Sequence, residues 1–109
     1  MSRVLIIGTG IAGLFAALRL ANEGFEVEII TKQRPKDSST NWAQGGIAAI
    51  IDKTNLEEIE GHINDTLNAG DGICDESVVR MVVEEAGERI MDLLSIGVEF
   101  ERNQEGRFE

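Results

Sequence analysis

The sequence is poor in the residues that cross-link or punctuate a chain: it has one cysteine, one proline and no tyrosine in 109 residues. A single thiol, Cys74, cannot close an internal disulfide, which fits a reducing, cytoplasmic setting. It also has no second thiol or histidine at ligand spacing, so a metal site is not expected. Long apolar runs are missing too. The densest stretch, Ile11 to Ala21, is broken by Arg19, and nothing approaches the ~20 apolar residues that a membrane helix needs. Met1-Ser-Arg3 leads straight into an aliphatic run, which is not the order of a secretory signal. Cations are scarce: 10 Lys+Arg stand against 20 Asp+Glu, a net charge of -10. An approaching phosphate backbone or anionic lipid surface would meet like charge, so nucleic acid and membrane partners are not expected.

What is present is a pattern change near the start of the chain. Arg3-Val-Leu-Ile-Ile-Gly8 is continuous and β-branched, as in a strand buried on both faces. From Gly10 the apolar period becomes three and four, with Ile11, Leu14, Phe15 and Leu18, which predicts a helix ended by Gly24. Phe25 to Thr31 predicts a second strand. Strand, glycine turn, helix and strand within about thirty residues make a right-handed βαβ unit with parallel strands.

Lys32 to Thr40 holds the lone proline and three cations and is expected to be a loop. The paired glycines leave the conformation of Asn41 to Ile51 undetermined. Asn55, three residues before Glu58, resembles a capping box opening a helix with Leu56, Ile59, Ile63 and Leu67 on one stripe, closed by Gly70-Asp-Gly72. Asp75 is expected to cap a longer helix, with Val79, Val82, Val83, Ala86, Ile90, Leu93 and Leu94 at helical spacing, stopped by Gly97. Val98 to Arg102 alternates, and Arg107-Phe-Glu109 begins to alternate again after a turn, as in a hairpin.

Gly8-Thr9-Gly10-Ile11-Ala12-Gly13 is a Gly-x-Gly-x-x-Gly directly after a strand and opening a helix, the context that gives the pattern meaning. Gly8 permits the tight turn, Gly10 lets a pyrophosphate approach the backbone, and Gly13 lets the helix pack close to the strand. The competing reading is a glycine turn that binds nothing. The nature of the dinucleotide stays open on these residues. A NAD site places Asp or Glu at the end of the second strand. Here that place reads Ile30-Thr31-Lys32, and Glu28 lies inside the strand. Lys32 and Arg34 could hold a 2′-phosphate of NADP, or Lys32 could contact the adenosine side of FAD.

A second constellation, Ser38-Ser39-Thr40-Asn41-Trp42-Ala43-Gln44-Gly45-Gly46, places hydroxyls and amides beside paired glycines, which suits a loop wrapped around an extended polar ligand. An ordinary polar turn is the alternative, and Trp42 is as a rule a packing anchor. His62 and Asp65 share a helix face, but Glu60, Asn64 and Asn68 beside them favour a solvated surface over a catalytic dyad.

Taken together, Val4 to Leu14, Ile30-Thr31-Lys32, the Ser38–Gly46 block continuing into Ile-Ala-Ala, His62-Ile-Asn-Asp-Thr66 and Ala69 to Asp75 resemble the succinate dehydrogenase and fumarate reductase flavoprotein family. The likeness spans Val4 to about Phe100. It implies an α/β, Rossmann-like FAD-binding βαβ fold, incomplete here, with residues 1–109 as the N-terminal part of the FAD-binding domain and the capping domain and C-terminal part absent. By motif, Gly8 to Gly13 would line the pyrophosphate, Lys32 the adenosine side, and Ser39 to Gly46 the flavin side. Where membrane-bound members carry a covalent flavin-anchoring histidine, this chain has Ser39, so FAD is expected to be noncovalent. Within the family the likeness points to oxidation of L-aspartate to iminoaspartate, with O2 or fumarate as acceptor, the first step toward quinolinate in NAD biosynthesis and so upstream of quinolinate synthase. A soluble fumarate reductase or succinate dehydrogenase, and a non-catalytic nucleotide-binding module, are the alternatives. Family catalytic residues lie later in the chain, so none is named and the fragment alone is expected to be inactive.

Overall fold

A computed structural model describes residues 2–43 and 46–108, and by their contacts these residues fall into two units, 1–46 and 47–109. In the first, strand β1 (Arg3–Ile7) and strand β2 (Glu26–Ile30) pair in parallel, with Arg3 opposite Glu26 and Ile7 opposite Ile30. The register is marked at its open end by an ion pair between Arg3 Nη2 and Glu26 Oε1 at 2.9 Å. Helix α1 (Ile11–Asn22) connects the strands and packs on both. It ends where the sequence predicts: Gly24 has φ +84, its amide donates to the Ala21 carbonyl, and the Phe25 amide reaches back to the Leu20 carbonyl. This paired closure satisfies carbonyls that the last helical turn leaves open.

The loop after β2 is shorter than expected. Ser39–Trp42 form a four-residue helical turn, α2, because Ser38 Oγ accepts the Asn41 amide at 3.4 Å and caps it. No strand or helix forms among residues 46–51.

The second unit is a helical pair, α3 (Leu56–Ala69) and α4 (Glu76–Ser95). Ile59, Ile63 and Val83 form its core, with Ile50, Leu67 and Val79 packed on it. Leu56 and Val82, placed on the apolar stripes by spacing, stay 69% and 57% exposed, so each buried face is narrower than its pattern. Asn55 Oδ1 accepts the Glu58 amide at 3.2 Å, but the Asn55 amide goes to the Asp52 carbonyl, so the capping box is only half made. Asp75 caps α4 through the Ser77 and Val78 amides. After α3 the chain turns through two left-handed residues, Asp71 at φ +47 and Gly72 at φ +85. A Cβ on Gly70 would run into Cys74 Sγ. Beyond Gly97, φ +97, the expected hairpin is reduced to one antiparallel bridge, Arg102 to Phe108, with the Arg102 guanidinium 4.1 Å from the Phe108 ring centre.

Candidate functional site: a nucleotide cleft at the strand ends

The carboxyl ends of β1 and β2 open into a cleft of about 610 Å³ in the first unit. It brings together segments far apart in sequence: Ile7 to Gly10, Ile30 to Lys32, and Asp37 to Ser39. Open parallel sheets place ligands at this end because the turns there carry unpaired backbone donors and the start of a helix.

The glycine turn is held at its base by the Gly8 amide donating to the Ile30 carbonyl at 2.8 Å. Gly8 sits at φ +106, a conformation that side chains resist. A Cβ on Gly13 would lie 2.6 Å from the Gly8 carbonyl oxygen and 3.3 Å from Ile6 Cγ2, so only glycine lets α1 come this near to β1. Thr9 is buried, and its hydroxyl meets that of Thr31 at 3.3 Å, which ties the turn to the end of β2. Two donors remain available: among the described residues the Ala12 and Gly13 amides have no hydrogen-bond partner. The helix dipole adds to their attraction for an anion.

The two sequence constellations meet at Thr40. Its Oγ1 accepts the Ile11 amide at 3.1 Å and lies 3.5 Å from the Cβ position of Gly10, so the second loop is fastened to the start of α1. Of the residues singled out by motif, Gly8, Thr9, Gly10, Lys32 and Ser39 line the cleft, while Ile11, Ala12, Gly13, Thr40, Asn41, Trp42, Ala43 and Gly46 do not. Trp42 is 73% exposed and packs on no core. Gln44 and Gly45 lie outside the described residues. Ile7, Ile30, Thr31, Asp37 and Ser38 are additional lining residues. Ser38 heads the second constellation of the sequence, whereas Asp37 stands in a loop without periodicity and gave no signal.

The cleft suits a dinucleotide: small residues of the glycine turn where phosphates approach, and Lys32 as a cation in its lining. A family model described as FAD binding domain matches residues 3–109. The chain belongs to the FAD binding domain family. FAD is the nucleotide of this family, which closes the choice between FAD and NADP that the residues alone left open. The α/β architecture with an incomplete parallel sheet agrees with it.

Relatives of this FAD binding domain include the chloroplastic L-aspartate oxidase of Arabidopsis thaliana, 44% identical over 93% of this chain and 15% of that protein. The L-aspartate oxidase of Pseudomonas aeruginosa is 44% identical over 97% of this chain and 20% of its own length. Among solved structures, an E. coli quinol fumarate reductase superposes with a TM-score of 0.81 at 30% identity, covering all of this chain and 19% of that one. The chain thus spans a fifth or less of the length of these relatives.

Elsewhere the chain has little chemistry. His62 is half-buried on α3 and its carbonyl accepts the Thr66 hydroxyl at 2.8 Å, and Asp65 beside it is exposed. Cys74 is a free, half-buried thiol. No group of His, Cys, Asp and Glu suited to a metal occurs among the described residues. Among the described residues no helix is long and apolar enough to cross a membrane.

Proposed function

We propose that this chain is the cofactor-cradling N-terminal part of an enzyme that oxidises L-aspartate to iminoaspartate. The observation that carries the reading is the meeting of the glycine turn, Lys32 and Ser38–Ser39 around one cleft, in a chain whose relatives are named L-aspartate oxidases. When bound, FAD would supply the two-electron acceptor for this oxidation. The residues here bind and orient. The Ala12 and Gly13 amides at the start of α1 take the pyrophosphate, Lys32 the adenosine side, and Ser39 to Gly46 the flavin side. Thr40, bonded to the Ile11 amide, keeps the two cradles in register. With Ser39 where a histidyl link would form, FAD is held noncovalently. Capping and catalytic groups are supplied by the remainder of a longer polypeptide, and O2 or fumarate reoxidises the cofactor. The product then feeds quinolinate and NAD synthesis.

The test is the intact native polypeptide. It should purify yellow, bleach anaerobically with L-aspartate but not with succinate, and release all its colour on acid denaturation. Bleaching by succinate would favour the fumarate reductase reading, for which the solved-structure likeness speaks. A colourless protein that takes up no added flavin would defeat both.

A further inference from the structure

We infer that Asp37 is the acceptor for the ribose hydroxyls of the bound adenine nucleotide, a role that nucleotide-binding βαβ units ordinarily give to a carboxylate at the end of the second strand. The inference rests on the FAD reading above. Three observations lead to it. First, the strand-end position is empty of acid: Ile30, Thr31 and Lys32 stand there, and the Thr31 hydroxyl already meets that of Thr9. Second, the nearby strand acids are elsewhere. Glu28 pairs across the sheet with Leu5, two registers short of the strand end, and Glu26 is bound to Arg3. Third, among the residues lining the cleft Asp37 is the only carboxylate, and it reaches the cleft from the loop beyond β2.

Its geometry leaves it available. The Asp37 amide donates to the Arg34 carbonyl at 2.9 Å, which turns the loop back toward the strand end. Its carboxylate has no hydrogen bond or ion pair among the described residues. Two free oxygens match the two donors of a vicinal diol, and hydrogen bonds to a charged acceptor are the stronger kind. The same charge would repel a 2′-phosphate, so Asp37 both holds the unmodified ribose and excludes 2′-phosphorylated nucleotides.

Two probes separate this from a general loss of binding: FAD, and an FAD analogue whose adenosine lacks the 2′- and 3′-hydroxyls. Each is titrated into the flavin-depleted intact polypeptide by flavin fluorescence, for the native protein and for D37N and D37A. The native protein should prefer FAD over the analogue by about ten-fold, and D37A should remove that preference while leaving analogue affinity unchanged. D37N should fall between them and admit a 2′-phosphorylated adenine nucleotide that the native protein rejects. Equal affinity of the native protein for both probes, or variants that weaken both probes alike, would overturn the assignment while leaving the FAD reading intact. Failure of the native protein to bind either probe would end both.

Discussion

At the residue scale, two glycines in the helical pair make opposite predictions from the same substitution. Helical glycine is ordinarily worse than alanine by about 1 kcal/mol, because it gives up more backbone freedom on folding. At Gly61 on α3 nothing lies within 4 Å of an added Cβ, so G61A should stabilise by about 1 kcal/mol. Gly87 on α4 is buried, and its Cβ would sit 2.7 Å from the Ile50 carbonyl oxygen and 3.3 Å from Ile51 Cα, both backbone atoms. Neither can rotate away, so overpacking outweighs propensity and G87A should cost about 1–2 kcal/mol net. Urea unfolding followed by helical circular dichroism of the two variants checks this; a stabilised G87A would show that residues 50–51 yield easily. The sequence displays both glycines as equal blemishes in a helical period, and only the approach of the 50–51 backbone tells them apart.

At the scale of elements, the helical pair depends on ionised carboxylates. The Ser77 hydroxyl, then the Val78 and Ser77 amides, hold the Asp75 carboxyl below its usual range, and the Thr54 hydroxyl and amide do the same for Asp52. Hydrogen bonding to Arg80 lowers Glu60, and Lys53 lowers Glu88, each joining segments distant in sequence. A carboxyl whose folded pKa is depressed stabilises the fold above its unfolded pKa, and that contribution disappears as pH falls through the lowered folded value. Thermal melting of helical signal should therefore be flat above about pH 5 and decline progressively below about pH 4. All four groups are exposed, so solvent keeps the decline shallow. D75N should reduce the slope, and a melting temperature that rises on acidification would contradict the assignment. These caps were legible because Asn55 and Asp75 stand directly before an apolar helical period, and the βαβ unit was legible because its period changes from strand to helix at the glycines. The turn α2 and the arrival of Asp37 at the cleft were not, because both depend on a loop of polar residues whose path is set by capping hydrogen bonds and not by any hydrophobic repeat.

At the scale of the whole molecule, apolar surface outruns what the chain buries. Among the described residues the buried hydrophobics are Ala17, Ile59, Ile63, Val83, Ile90 and Leu93, whereas Ile7 is 80% exposed, Ile73 90% and Trp42 73%. A two-stranded sheet with Leu5 and Ile30 also half open to solvent is marginal in water. Prepared alone, the 109-residue chain should bind a hydrophobic dye such as ANS and unfold in urea with a slope below the roughly 1–3 kcal/mol per molar typical of small proteins. Added FAD should shift the midpoint only if the first unit is folded, since a ligand stabilises by its preference for the native state. A steep single transition, no dye binding and a FAD-dependent midpoint would instead identify these residues as a self-sufficient nucleotide-binding module. In that case the exposed Ile7 and Ile73 would have to be tolerated surface and not faces awaiting further chain, and the oxidase reading would lose the need for a longer polypeptide on which its chemistry depends.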